Sequence, residues 1–321
     1  MQTLYDLFDT THQWLFEAIV QPALFHLDAS VLLEDAYDAT MWLLIGALEI
    51  LFLVVVLGAL QRWRPAEPIT NKRQIRIDVV YTLIHRLGLF RLGLYFTLLP
   101  VTLWIASHLH VRGFVIPPID QLWPGVTDIA WVSLLIYLVL FDFVDYWYHR
   151  AQHRFSRFWA LHAVHHSQRQ MTMWSDNRNH LLDDLIRSSV LVFVSYLLGV
   201  PPGQFVLVVV ITQVLESLSH ANVRMSFGRW GERLLVSPKF HRQHHAIAYD
   251  ASHAGPAGGY NFAVLFPVWD LMFGTARFDG DYGPTGIHDQ TESEGARDYG
   301  ETFWAQQRLA LKDFFKRADA S

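Results

Sequence analysis

An all-α integral membrane protein is the fold this sequence predicts, with about four transmembrane helices or helical-hairpin arms and a cytosolic, histidine-rich helical cap. Three observations predict it: long apolar segments recur along the chain, charged residues are scarce, and histidines cluster where apolar segments end. The chain of 321 residues is 52% hydrophobic and 17% charged, against roughly 25% charged in soluble domains. A net charge of -5 with no basic stripe excludes nucleic acid as a partner. The absence of cysteine excludes disulfides, thiolate nucleophiles, iron–sulfur clusters and Cys-zinc sites, so any metal must be held by histidine, carboxylate or amide oxygen.

The N-terminal stretch lacks the basic region and short apolar run of a secretory signal and is expected to belong to the mature chain. The first span is Ala39 to Leu60, which meets the roughly 20 residues needed to cross the hydrocarbon core with Glu49 as its only charge. Only acidic residues precede it, from Asp6 to Asp38, whereas Arg62, Arg64, Lys72, Arg73 and Arg76 follow against Glu67 alone. The positive-inside rule therefore places the 61–76 loop in the cytoplasm.

A second membrane region runs from about Val79 to Ser107 with a kink expected at Pro100; its spanning part is Leu92 to Ser107, with Arg86 and Arg91 snorkelling to the cytoplasmic surface. Pro117, Pro118 and Pro124 mark a turn before a helix from Asp128 to Tyr148. Leu185 to Leu218 reads as a helical hairpin broken at 199–203, either a full crossing pair or a re-entrant element. Under both readings the histidines at 149–166 and 241–245 fall on the cytoplasmic side, which in a bacterial-type cell would be the inner face of the inner membrane. Beyond Gly274 the chain turns polar, and Glu301 to Lys316 suits an interfacial amphipathic helix. Three units are expected: 1–75 with the first span and basic loop, 76–277 with the histidines, and the 278–321 tail.

The histidines are informative by spacing. His149 and His153 form H-x3-H; His162, His165 and His166 form H-x2-H-H, as do His241, His244 and His245. Residues three and four apart share a helix face, so a pair can meet one metal. Adjacent residues diverge by roughly 100°, so each triplet can serve two neighbouring ions. Eight imidazoles exceed what one ion with an open position takes, and suit a pair. Imidazole accepts iron and zinc alike, so residue type leaves the metal open; an oxidative function selects iron, with zinc a possible occupant in a preparation.

His180 and His220 flank the hairpin and are further ligand candidates, and His253, in a Gly/Pro-rich loop, is a weaker one. Asp145, one turn before His149, and Asp142 before it are placed to fix an imidazole tautomer or to be hydrated helix-end charges, and Asp184 has the same relation to His180. Glu216, one turn before His220, suits a ligand, a proton carrier or a structural partner. Asn222 and Asn261 suit amide ligands or orienting hydrogen-bond groups, Asn261 equally a turn or cap residue.

These motifs make the chain resemble the fatty acid hydroxylase/sterol desaturase superfamily, whose three histidine boxes match HRAQH (149–153), HAVHH (162–166) and HRQHH (241–245). Similarity extends to RNHLLD around His180, SHANVR around His220 and GYNFAVLFPVWDLMFGT from Gly259 to Thr275, so that it covers roughly 76–277. The resemblance implies a membrane base with a cytosolic cap holding two irons. It implies dioxygen as co-substrate and two electrons from a separate ferredoxin or cytochrome-type donor, for no flavin or nucleotide motif is visible. The eight box histidines are the implied ligands, His180 and His220 the implied extra ones, with Glu216 where the family offers a further histidine. The implied reaction hydroxylates, or alternatively desaturates, an unactivated C–H position of a lipid such as a fatty acyl group or sterol. A metal-dependent membrane hydrolase would turn over without oxygen or reductant, and a metal carrier would spread ligands along a transmembrane path.

Overall fold

A computed structural model describes residues 2–113, 118–247 and 259–316, leaving His253 outside the described residues. Among these the chain is helical, with no strand beyond an isolated bridge between Ala246 and Thr285. The principal helices are α1 (Gln2–Leu15), α2 (Ser30–Trp63), α3 (Lys72–Arg86), α4 (Leu89–Val111), α5 (Ala130–Arg154), α6 (Ser156–His166), α7 (Leu181–Leu197), α8 (Pro202–His220), α9 (Pro238–His244), α10 (Val268–Phe273) and α11 (Phe303–Phe315). Among the described residues α2, α5 and α8 are long and apolar enough to cross a membrane, and with the comparisons reported below they define an integral membrane protein.

Local chemistry sets the boundaries. Asn71, Ser237 and Thr302 cap α3, α9 and α11 by accepting from the backbone N–H three residues on. Proline opens α8 and α9, where its missing N–H costs nothing. The apolar region from Val79 to Ser107 is divided: Gly88 adopts φ +88, separating α3 from α4. Helix α3 is thus a separate helix, and its buried side carries Asp78, Tyr81, Thr82, His85 and Arg86.

Arg86 corrects the snorkelling expectation. Its side chain is 1% exposed and binds Glu49 at 2.8 Å and Asp176 at 2.9 Å, with further bonds to Gln213 at 3.0 Å and Ser217 at 3.0 Å. A guanidinium with partners on three elements is stabler inside than extended to the surface, and it latches α2, α3 and α8 together. The helices can approach because position 46 is glycine: a Cβ there would lie 1.7 Å from the carbonyl oxygen of Arg86. The Arg91 side chain lies outside what is described.

Both hairpin arms are longer than the apolar pattern shows, because each continues through polar residues toward the cap. Between α5 and α8 the core is Tyr137, Leu138, Phe141, Val208 and Leu265; a second core around Tyr146, Val236, Phe240 and Phe262 packs the loop 259–266 against α5 and α9. Helix α11 packs on α6, and its inward side is Gln306, Gln307 and Ala310, while Trp304 and Phe315 are exposed.

Candidate metal centre

Helix α5 extends past its apolar span to Arg154, placing His149 and His153 one turn apart on one face. Helix α6 carries His162, His165 and His166, and α9 carries His241 and His244 with His245 at its C-cap. All eight box histidines are buried, and so is His220 at the end of α8.

The rings separate into two groups whose ligand atoms lie within 4.8 Å of one another: His149, His153, His162, His166 and His244 in one, His165, His220, His241 and His245 in the other. The helical repeat explains the division. Residues four apart share a group, as at 149/153, 162/166 and 241/245, while the odd member of each triplet, His165 or His244, turns to the other group. The stacked rings of His166 and His245, 4.3 Å apart, join the groups.

Within each group the Nε2 atoms converge. His166 Nε2 lies 3.1 Å from those of His153 and His244. His220 Nε2 lies 3.1 Å from His165 Nε2 and 3.0 Å from His241 Nε2. Two nitrogens bound at right angles to an ion at about 2.1 Å are about 3.0 Å apart, so the spacing is that of neighbouring ligands. The Nδ1 atoms point outward to carbonyls: His149 to Phe262 at 2.8 Å, His220 to Glu216 at 2.8 Å and His244 to Tyr260 at 2.7 Å. Such bonds fix the Nδ1–H tautomer and leave the Nε2 lone pair inward. His149 Nε2 and His162 Nε2 are buried without a hydrogen-bond partner, an arrangement a cation relieves. Desolvation, with the other rings adding to it, holds His162, His165, His166, His241 and His245 well below the ordinary imidazole pKa. Burial likewise takes His244 down to about 4. Neutral imidazole is the form that binds metal, and the residues fit a pair of ions.

His180 is not brought to either group. It caps α7, its Nδ1 accepting from Leu182 N at 3.0 Å while its Nε2 faces the Gln307 carbonyl at 3.0 Å. Asp142 accepts from Leu265 N, Phe266 N and the Trp269 indole at 2.7, 2.9 and 3.0 Å, and Asp145 takes Arg187 in a two-point pair. These carboxylates anchor the fold beside the histidines, and a backbone carbonyl orients His149 instead. Asp184 binds His85 at 2.8 Å, not His180. Glu216 meets Arg187 at 3.1 Å and lends only its carbonyl to His220. Asn222 ties the basic loop to the cap, donating to Glu67 O at 2.8 Å and accepting from Glu67 N at 3.0 Å. Asn261, with φ +60, donates to Phe240 O and Arg277 O at 3.1 and 2.9 Å, holding the chain that presents the Tyr260 and Phe262 carbonyls.

Spacing missed Asp183, His85 and Arg187. Asp183 lies 3.6 Å from His162 Nδ1 and accepts from Tyr148 at 2.7 Å and Gln152 at 2.6 Å. Its pairing with Asp184 on adjacent positions was the one available sign that two carboxylates serve two faces of α7. Beside the histidines a cavity of about 390 Å³ opens between α4, α5, α7 and α8, walled by Leu98, Phe141, Leu191, Val192, Phe205 and Val208.

A helical membrane protein with a buried double cluster of histidines beside an apolar cavity is the class that fold and site define. Residues 134–275 match the family described as Fatty acid hydroxylase, and that match, with the relatives below, supports the fatty acid hydroxylase/sterol desaturase superfamily for this chain. It is 26% identical over 242 residues to the ornithine lipid hydroxylase OlsE of Rhizobium tropici, covering 75% of this chain and 69% of that one. It is 28% identical over 204 residues to the alkylglycerol monooxygenase of Homo sapiens, 62% of this chain and 41% of that one. With a Delta(7)-sterol 5(6)-desaturase of Gibberella zeae it shares 28% identity over 128 residues, 39% of each chain. The match thus spans about two fifths of the latter two relatives. No solved structure matches. Lipid oxidation is the activity common to these names.

Proposed function

We propose that the protein is a membrane-bound monooxygenase that uses dioxygen and a di-iron centre to hydroxylate an unactivated C–H bond of a lipid. The observation that carries this reading is the adjacency of two cavities: the apolar one between the membrane helices and a smaller one lined by His149, His162, His165, His220 and His241 have walls in common. Bound at the two histidine groups, iron would supply the oxidising power of dioxygen once two electrons arrive from an external ferredoxin or cytochrome-type donor. The balance is R–H with O2, two electrons and two protons giving R–OH and water; desaturation at the same centre would remove two hydrogens and add no oxygen. The chain's own part is to hold the alkyl chain between α5, α7 and α8, exclude water, and keep nine neutral imidazoles facing inward.

The ligand set proposed is His149, His153, His162, His166 and His244 for one ion and His165, His220, His241 and His245 for the other. The core of the reaction domain is the proposed 76–277 unit, and α11 of the 278–321 tail packs on α6. A cytoplasmic site at a cell inner membrane is supported by the bonds that tie the basic loop to the cap, from Asn222 and from Arg242 to Glu67 at 2.8 Å, since the positive-inside rule fixes the side of that loop. The test is anaerobic purification, iron quantification, then reduction and a pulse of 18O2 with mass analysis of lipids. One labelled oxygen per product supports hydroxylation, whereas a product lighter by two hydrogens shows desaturation. Lipid turnover without oxygen or reductant would replace the reading with metal-assisted hydrolysis.

A further inference from the structure

Asp145, Asp176, Asn179, Asp184, Arg187 and Glu216 line both the apolar cavity and the histidine-lined one. An alkyl chain lying among Leu191, Val192, Phe205 and Val208 therefore reaches the histidines only past a charged collar. We propose that this collar is a headgroup subsite for a lipid whose polar group is an uncharged hydroxyl or amide, and that the oxidised C–H bond lies within a few carbons of that group. The inference rests on the oxygenase reading for its reaction and on the cavity alone for its binding.

Most collar groups are already committed. Asp176 is held by Arg86 at 2.9 Å, Asp184 by His85 at 2.8 Å and Asp145 by Arg187 at 2.7 Å. Glu216 has only a share of Arg187, at 3.1 Å, and these two side chains keep 20% and 27% of their surface exposed, on the cavity they line. The site thus offers an acceptor at Glu216 and a donor at Arg187, the two collar side chains that keep surface on the cavity, which a group that both gives and receives hydrogen bonds satisfies. Methylenes at this level would strip water from charged groups and return nothing, although they gain at the apolar wall. A carboxylate headgroup is opposed, because Asp145, Asp176, Asp184 and Glu216 outnumber Arg86 and Arg187 even with His85 counted as a cation. A mid-chain or terminal position is reached only by threading bare alkyl chain through the collar.

The test is equilibrium binding of radiolabelled hexadecan-1-ol to the iron-loaded protein in detergent, with hexadecane and hexadecanoate as competitors. Hexadecan-1-ol should bind about 10- to 100-fold more tightly than hexadecane, the worth of one hydrogen bond to a charged group, and more tightly than hexadecanoate. Glu216→Gln should narrow the gap to hexadecanoate. Equal competition by hexadecane, or stronger binding of hexadecanoate to the wild-type protein, would overturn the subsite whether or not the variant folds. Binding requires no turnover, so a preference for the alcohol without any oxygen-dependent product sinks the oxygenase reading and leaves the subsite standing. Oxygen placed in mid-chain would keep the oxygenase and overturn the subsite.

Discussion

Substituting His241 by Ala and, separately, His153 by Ala tests the division of the histidines into a group of five and a group of four. His153→Ala leaves its ion four imidazoles; His241→Ala leaves its ion three. Four-ligand zinc sites bind with about 10–16 kcal/mol, so one ligand carries about 3–4 kcal/mol, or about two to three decades of affinity. The fifth imidazole of the larger group is worth less, because the remaining four still complete a tetrahedral set. After dialysis against a weak chelator the wild type should hold two irons per chain, His153→Ala close to two, and His241→Ala close to one. Metal analysis with protein quantification reads this directly. Equal loss from both variants, or complete loss from either, would refute two separately liganded ions.

Three further outcomes follow from the packing. Arg86→Leu leaves Glu49 and Asp176 buried without their cation and should cost about 3–5 kcal/mol, visible as a large fall in unfolding temperature in detergent; a change within error would show the network to be dispensable. In the metal-free protein His244 is held at about 4, so the unfolded chain takes up a proton below about pH 6.5 that the folded chain refuses. Stability is then full above about pH 6.5 and declines as pH falls toward about 4, by about 1.4 kcal/mol per pH unit for each such histidine, and unfolding curves that do not move with pH across that range would contradict the buried neutral cluster. Val208→Trp fills the cavity wall beside Phe141 and Phe205 and should abolish lipid binding while iron content stays unchanged; retained binding would place the lipid elsewhere.

Much of this site was legible because helical periodicity is short-range: spacings of three and four decide which imidazoles share a face, and the split of each triplet between two groups follows from about 100° per residue. The membrane helices were legible for the same reason, through length and apolar content. What sequence spacing did not convey were partners supplied from elsewhere in the chain. His180 and His220 look alike in sequence, each bounding the hairpin, yet His220 ends α8 among the other rings while His180 is taken up by Leu182 and Gln307. Arg86 looked like a snorkelling residue because its counter-charges, Glu49 and Asp176, are far away in the chain. Asp142 and Asp145 stand two turns and one turn before His149, yet backbone N–H groups and Arg187 claim them first.

The central claim is that the buried histidines hold two irons that oxidise lipid with dioxygen. Its most direct measurement is a single turnover of protein loaded with iron without air, chemically reduced, supplied with lipid and exposed to 18O2. Two irons per chain and one labelled oxygen in the lipid product are expected; a protein with both irons that leaves every lipid unoxidised would contradict the di-iron oxygenase reading.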